Sequence, residues 1–244
     1  MDDPAGRQDG NGAAGDPAGT EPSAPVITEI RVGDEPGAWR DVGFDVDDAG
    51  RCTIGTVVVR LGADDNGGPG ILHWTLAGIA PPGGGTLDGL PTRRATGPVT
   101  APAGTAPPPR HANGCTLIDH VVVTTPDLDG TTAALQAVGL APRRTREAGT
   151  GADGVVRLQR FFRLGEVVLE LVGPAEPTGT GRARFWGLAH VVADLDATAA
   201  LLGDRLTRPR DAVQPGRRIA ALRSGTGVSV PTAFITPDPA RPRR

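Results

Sequence analysis

The sequence predicts an α+β protein built from repeated βαβββ modules, and an internal repeat is the first observation that predicts it. Asp119-His120-Val121-Val122 leads into Pro126-Asp127-Leu128-Asp129, and Ala189-His190-Val191-Val192 leads into Asp194-Leu195-Asp196-Ala197. Each copy sets a histidine in an apolar, β-branched run, follows it with Asp-Leu-Asp, and enters an alanine- and leucine-rich helical stretch. The second observation is that each copy is trailed by three more strand-like runs. A repeated supersecondary unit buries its open face against a sister unit, so equivalent histidines from two packed units can face each other.

The elements follow in order. Residues 1–24 are Gly, Ala, Asp and Pro with little else; they cannot bury enough apolar surface to offset their ordering entropy and should be disordered. Residues 25–79 read as a divergent βαβββ module: a strand over 26–32, a short helix over 35–42 closed by Gly43, and strands over 44–47, 53–61 and 70–79, with turn-forming Asp48-Ala49-Gly50 and 64–68 between them. Residues 80–113 hold Pro81-Pro82-Gly83-Gly84-Gly85 and Pro107-Pro108-Pro109 and read as a linker. A second module has a strand over 117–124, a helix capped by Asp127 or Asp129 and stopped by Gly139, and strands over 142–147, 155–164 and 166–172, the last two joined in a tight hairpin at Leu164-Gly165-Glu166. The third has a strand over 185–192, a helix from about Asp196 to Leu206, and strands over 210–214, 217–223 and 228–235. Pro231 falls inside the last strand, which makes it an edge or a bulge. Residues 238–244 form a short basic tail carrying Arg241, Arg243 and Arg244.

Composition excludes several functions. The chain of 244 residues has a net charge of −3 and a pI near 5.8. Its positive charge is all arginine, scattered among acids rather than gathered into a basic domain, which argues against nucleic-acid binding. The start, Met1-Asp2-Asp3-Pro4, lacks the charged and apolar regions of a secretory signal, and no run approaches the length of a membrane span. The expected compartment is the cytoplasm. Cys52 and Cys115 make at most one pair, which is no disulfide framework.

Three residues stand out as candidates for chemistry. His120 and His190 occupy equivalent places in the repeat. Glu170 lies in the middle of the apolar strand Val167-Val168-Leu169-Glu170-Leu171-Val172, and a buried carboxylate must be paired, protonated or metal-bound. Two histidines and one carboxylate leave open positions on a divalent ion, as a catalytic site requires. Alternation puts His120 on a face with Ile118 and Val122, and His190 with Trp186, Leu188 and Val192. Only one of Phe161 and Phe162 can face the same cleft. Arg157, Arg163 and the stretch Gln214-Pro215-Gly216-Arg217-Arg218 can supply guanidinium groups for an anionic ligand. Glu29 and His73 form a weaker pair of metal-type residues in the first module.

These residues resemble the vicinal oxygen chelate superfamily, which includes glyoxalase I, extradiol dioxygenases, methylmalonyl-CoA epimerase and the bleomycin-resistance proteins. The resemblance covers residues 114–237 well and 26–79 faintly. It implies that the second and third modules pair into a half-open barrel, with a divalent metal (Fe, Mn, Zn or Ni) held by His120, Glu170 and His190. Glu170 would also be the catalytic base. The fourth ligand position is Ala233, a departure from the family pattern. The implied activity is a metal-dependent lyase, isomerase or dioxygenase acting on a small oxygen-rich substrate through Lewis-acid chemistry; the alternative is a metal-free protein that binds or sequesters a small molecule. The first module has no sister, so its apolar face (Val57, Val59, Leu61) must pack on the paired modules or against a second copy in a homodimer. The long linker makes the homodimer sterically possible, and a homodimer is the arrangement expected.

Overall fold

A computed structural model of the chain describes residues 24–63, 67–80, 83–96 and 110–240. The expectations for residues 1–23, for the turn at 64–66, for the linker residues 81–82 and 97–109, and for the tail arginines Arg241, Arg243 and Arg244 fall outside the described residues. The elements run β1 (Val26–Val32), α1 (Pro36–Asp41), β2 (Arg51–Ile54), β3 (Val57–Leu61), β4 (Ile71–Ala77), β5 (Thr86–Leu87), β6 (Leu90–Arg94), β7 (Cys115–Thr124), α2 (Leu128–Gln136), β8 (Pro142–Thr150), β9 (Val156–Leu164), β10 (Val167–Pro174), β11 (Arg184–Val192), α3 (Leu195–Leu202), β12 (Arg210–Asp211), β13 (Arg218–Ala221) and β14 (Thr232–Ile235). None of these helices is long and apolar enough to cross a membrane.

Strands β7 to β14 form one sheet in the order β12-β13-β14-β11-β7-β10-β9-β8. This is two βαβββ modules joined along their first strands: β7 runs parallel to its own last strand β10 and antiparallel to β11, which in turn runs parallel to β14. The half-open barrel expected of the second and third modules is therefore present. Local chemistry sets its helices. The Asp127 carboxylate accepts from the backbone N–H of Gly130 to cap α2, and Asp194 accepts from Asp196 and Ala197 to cap α3, satisfying N–H groups that the first turn leaves unpaired. Gly165 turns the β9–β10 hairpin at φ 66°, a left-handed conformation open to glycine. Pro231 sits just before β14 rather than within it, and its carbonyl accepts from Leu188 N–H. Gly187 lets the strands approach there, since a Cβ would lie 2.5 Å from that same carbonyl oxygen.

The N-terminal sheet, β2-β3-β1-β4-β6-β5, differs from the expected single module. Residues 44–47 form no strand, the run over 53–61 is a β2–β3 hairpin, and β5 and β6 lie within the stretch read as linker. More tellingly, β1 is parallel to β3, antiparallel to β4, and β4 is parallel to β6. This is the pairing pattern of β7, β10, β11 and β14, so β4 starts a second, shortened module instead of closing the first. A sequence reading places a strand but not its partner, and only the register separates these topologies.

The two sheets share one apolar core. Trp39 and Phe44 pack against His190 and Phe234, and the Trp74 ring meets Phe185 edge-on at 5.1 Å. Val57, Val59 and Leu61 are buried within the chain, so the N-terminal block finds its cover in cis and has no need of a second copy on that account. Cys52 and Cys115 are both buried and unpaired by disulfide, and burial pushes the Cys52 thiol up to about 12, which makes it inert.

Candidate functional site

The open face of the eight-stranded sheet lines a cleft of about 880 Å³. His120 and Val122 from β7, Val168 and Glu170 from β10, Ala189 from β11 and Ala233 from β14 form its floor. The register explains this row: His120 stands beside Val168 on one side and Ala189 on the other, and Ala189 stands beside Ala233.

His190 is elsewhere. Its ring is fully buried on the opposite face of β11, 5.1 Å from Phe44 and 6.0 Å from Phe234, and among the described residues neither ring nitrogen has a hydrogen-bond partner. The cause is a bulge in β7. Ala189 pairs with His120 but His190 pairs with Ile118, leaving Asp119 as an extra residue. Such an insertion reverses the alternation of side chains beyond it. Consequently Ile118 joins the buried face, while the consecutive residues Asp119 and His120 both reach the cleft. His120 and Glu170 are brought together as expected, with Nε2 and Oε2 3.6 Å apart; the third expected member, His190, is not with them.

A hydrogen-bonded chain surrounds that pair. Asp119 Oδ2 lies 2.8 Å from His120 Nδ1, and Asp119 Oδ1 accepts from Arg217 Nη2 at 2.7 Å. Burial alone would raise the Asp119 pKa, but hydrogen bonds from His120 and Arg217 outweigh it and hold this carboxyl well below the usual range. Ionised, it can only accept, so Nδ1 carries the proton it shares with Asp119, and Nε2 is the nitrogen turned toward Glu170. Arg217 is itself almost fully buried and also donates to the Thr236 carbonyl and the Gln214 side chain. On the other side, Gln159 donates to Glu170, and Arg146 donates to Gln159 Oε1 at 2.6 Å while its guanidinium lies 5.4 Å from the centre of the Phe161 ring.

This donor set does not fit a divalent ion. Among the described residues no group of three His, Cys, Asp or Glu is placed to hold one. Both Asp119 oxygens are engaged, and the floor positions that would supply third and fourth ligands are Ala189 and Ala233. The weaker pair fares no better: Glu29 is ion-paired to Arg60, and its neighbour on β4 is Thr75 rather than His73.

Sequence reasoning missed Asp119, because a residue next to His120 on a regular strand points away from it, and nothing local marks the bulge. Gln159 was findable, since it shares a strand face with Arg157 and Phe161 on β9. Of the paired phenylalanines, Phe161 lines the cleft and Phe162 is in the core. Trp186 lines the cleft too, as the extra residue of a second irregularity between Phe185 and Gly187.

A half-open barrel of two βαβββ modules, enclosing a cleft with a histidine and a carboxylate on its floor, defines a glyoxalase-like protein. Residues 119–220 match the family model described as Glyoxalase/Bleomycin resistance protein/Dioxygenase superfamily. Among solved structures, a mutant of 4-hydroxymandelate synthase from Streptomyces coelicolor is similar over both sheets: 16% identity, 91% of this chain and 94% of that one, TM-score 0.56. Methylmalonyl-CoA epimerase from Mycobacterium tuberculosis aligns at 20% identity over 52% of this chain and 91% of its own, with a TM-score of 0.41. The Streptomyces coelicolor epimerase in complex with 2-nitronate-propionyl-CoA aligns at 24% identity over 51% of this chain and 96% of its own, with a TM-score of 0.39. No curated protein sequence matches the chain.

Proposed function

We propose that this chain is a glyoxalase-like protein whose cleft binds a small molecule without a divalent metal. The observation that carries the reading is the alanine pair, Ala189 and Ala233, on the floor beside His120. A cleft of this volume with an apolar floor and a few convergent polar groups is what small-molecule sites look like. The positive charge that a metal would bring is replaced locally by Arg217, whose guanidinium is held by Asp119 behind His120.

A second reading, metal-independent proton transfer of the isomerase or lyase type, is favoured by one feature. His120 Nε2 and Glu170 Oε2, 3.6 Å apart, can exchange one proton between them or with a bound substrate. Asp119 fixes the imidazole, and Gln159 fixes the carboxylate. Orientation of this kind is what general acid–base catalysis needs. A dioxygenase is not proposed, because these donors do not hold the redox metal it requires.

Calorimetric titration of the chelator-treated protein with Zn²⁺, Mn²⁺ and Fe²⁺ under anaerobic conditions tests the reading. The expected result is no stoichiometric uptake. Stoichiometric uptake that disappears in both Glu170→Ala and His190→Ala would overturn it and restore the three-ligand set.

A further inference from the structure

The cleft has a character that its floor does not explain. Four arginines line it, Arg144, Arg146, Arg210 and Arg217, in a chain whose net charge is −3. Arg217 is neutralised by Asp119, and Arg146 is tied to Gln159. Arg144 and Arg210 are different: both are exposed and neither forms an ion pair or side-chain hydrogen bond among the described residues. They lie on β8 and β12, the two outermost strands of the eight-stranded sheet. Both residues line the one cleft, so its wall carries a guanidinium group from each edge of the sheet. Guanidinium groups without a carboxylate of their own suit a bidentate contact to a carboxylate or phosphate.

The apolar surface tells the other half. Only four large apolar side chains are exposed among the described residues, and the two most exposed, Trp186 at 55% and Val213 at 79%, both line this cleft. The Phe161 ring lies with them under Arg146. Exposed apolar groups gathered at one concave place mark a contact surface, and an aromatic there favours a flat partner.

We propose that the cleft takes an amphipathic anion: a flat apolar body lies against Trp186, Val213 and Phe161, and its carboxylate or phosphate is held between Arg144 and Arg210. This rests on the cleft being a metal-independent binding site and adds the class of ligand. The opposite end of such a ligand reaches His120 and Glu170 on the floor.

The test uses four probes with one naphthalene body: 1-naphthylacetate, 1-naphthyl phosphate, 1-naphthol and 1-naphthylmethylamine, titrated calorimetrically into the full chain with chelator present. The expected result is that one or both anions bind at least tenfold more tightly than the neutral and cationic probes, that binding weakens as salt screens it, and that whichever anion binds tighter identifies the head group. Arg144→Ala with Arg210→Ala should lose at least tenfold for the anions, since one hydrogen bond to a charged group is worth roughly that factor. Both sites are exposed, and an unchanged thermal midpoint of the double variant confirms that it folds. Binding of the amine as tightly as the anions, equal anion affinity in the double variant, or no anion binding at millimolar concentration overturns the proposal. If the anions bind only once a metal is added, it is the metal-independent reading that fails, while loss of that binding in the double variant would still support the arginine assignment.

Discussion

Replacing His190 by leucine should make the protein more stable, and more so in mild acid. The ring is fully enclosed by Trp39, Phe44, Phe234 and its own strand, with both nitrogens unpartnered. A buried polar group without a partner costs about 1–3 kcal/mol, and an apolar residue of similar bulk repacks for less than about 1.5 kcal/mol. The net gain near neutral pH is therefore about 1 kcal/mol. Protonation adds a second term. Burial first, and then the charges of His111 and His120, push the His190 pKa down to about 3 from its ordinary 6.5. The unfolded chain thus takes up a proton as the pH falls through about 6.5 while the folded chain resists until about 3. Stability is complete above this window and is lost progressively on the way down it. At about 1.36 kcal/mol for each pH unit, the wild type gives up roughly 2 kcal/mol by about pH 5, and His190→Leu does not. His111, whose pKa burial also lowers, is present in both proteins, so its own desolvation cancels in the difference. Urea unfolding followed by tryptophan fluorescence should show the variant ahead by about 1 kcal/mol near pH 7.5 and by about 3 kcal/mol near pH 5. A variant less stable than the wild type, or an advantage identical at the two pH values, would refute the placement of His190 in an apolar, unpartnered environment.

Asp119→Asn should destabilise the protein by roughly 3 kcal/mol, because it leaves Arg217 buried without its counter-charge. Urea unfolding at neutral pH measures this. The Asp119 pKa is depressed below its ordinary 3.8, so its stabilisation is complete above about pH 4 and is lost as the pH falls further; the variant's stability should lack that decline. Gly187→Ala forces a methyl group toward the Pro231 carbonyl between β11 and β14 and should cost about 1–3 kcal/mol, read as a lower urea midpoint; an unchanged midpoint would mean that the two strands are less tightly apposed than 2.5 Å implies.

Much of the C-terminal half was legible because its signals are local. Asp127 caps a helix that begins one residue later, the apolar run of β10 marks a strand, and Leu164-Gly165-Glu166 marks the hairpin that joins it to β9. Glu170 was visible as a carboxylate in an apolar strand, and the structure gives it Gln159 as a partner. The N-terminal half was misjudged for a physical reason. The sequence marks β1 to β4, but β4 can close one module or open the next with the same residues, and the choice depends on which neighbour it pairs with. Thr86–Leu87 and Leu90–Arg94 are too short and too polar to stand out from the Gly- and Pro-rich stretch around them. They are strands because β4 offers an edge to β6, and β6 offers one to β5.

The two histidines show why a repeat in sequence need not be a repeat in function. His120 and His190 are equivalent by alignment, yet side chains on a strand alternate with a period of two, so one inserted residue separates a cleft histidine from a core histidine. In β11 no residue is inserted at that place, and regular alternation gives the floor to Ala189 and the core to His190. In β7 the bulge at Asp119 gives the floor both the counterpart of Ala189 and the residue after it. The same insertion explains three facts together: the histidine pair is split, His120 acquires an adjacent carboxylate, and that carboxylate is positioned to recruit Arg217 from the neighbourhood of β13. A strand without the bulge would offer one side chain at this point of the floor; with it, the cleft holds an oriented Asp119–His120 pair facing Glu170, and the chemistry available there belongs to those three residues.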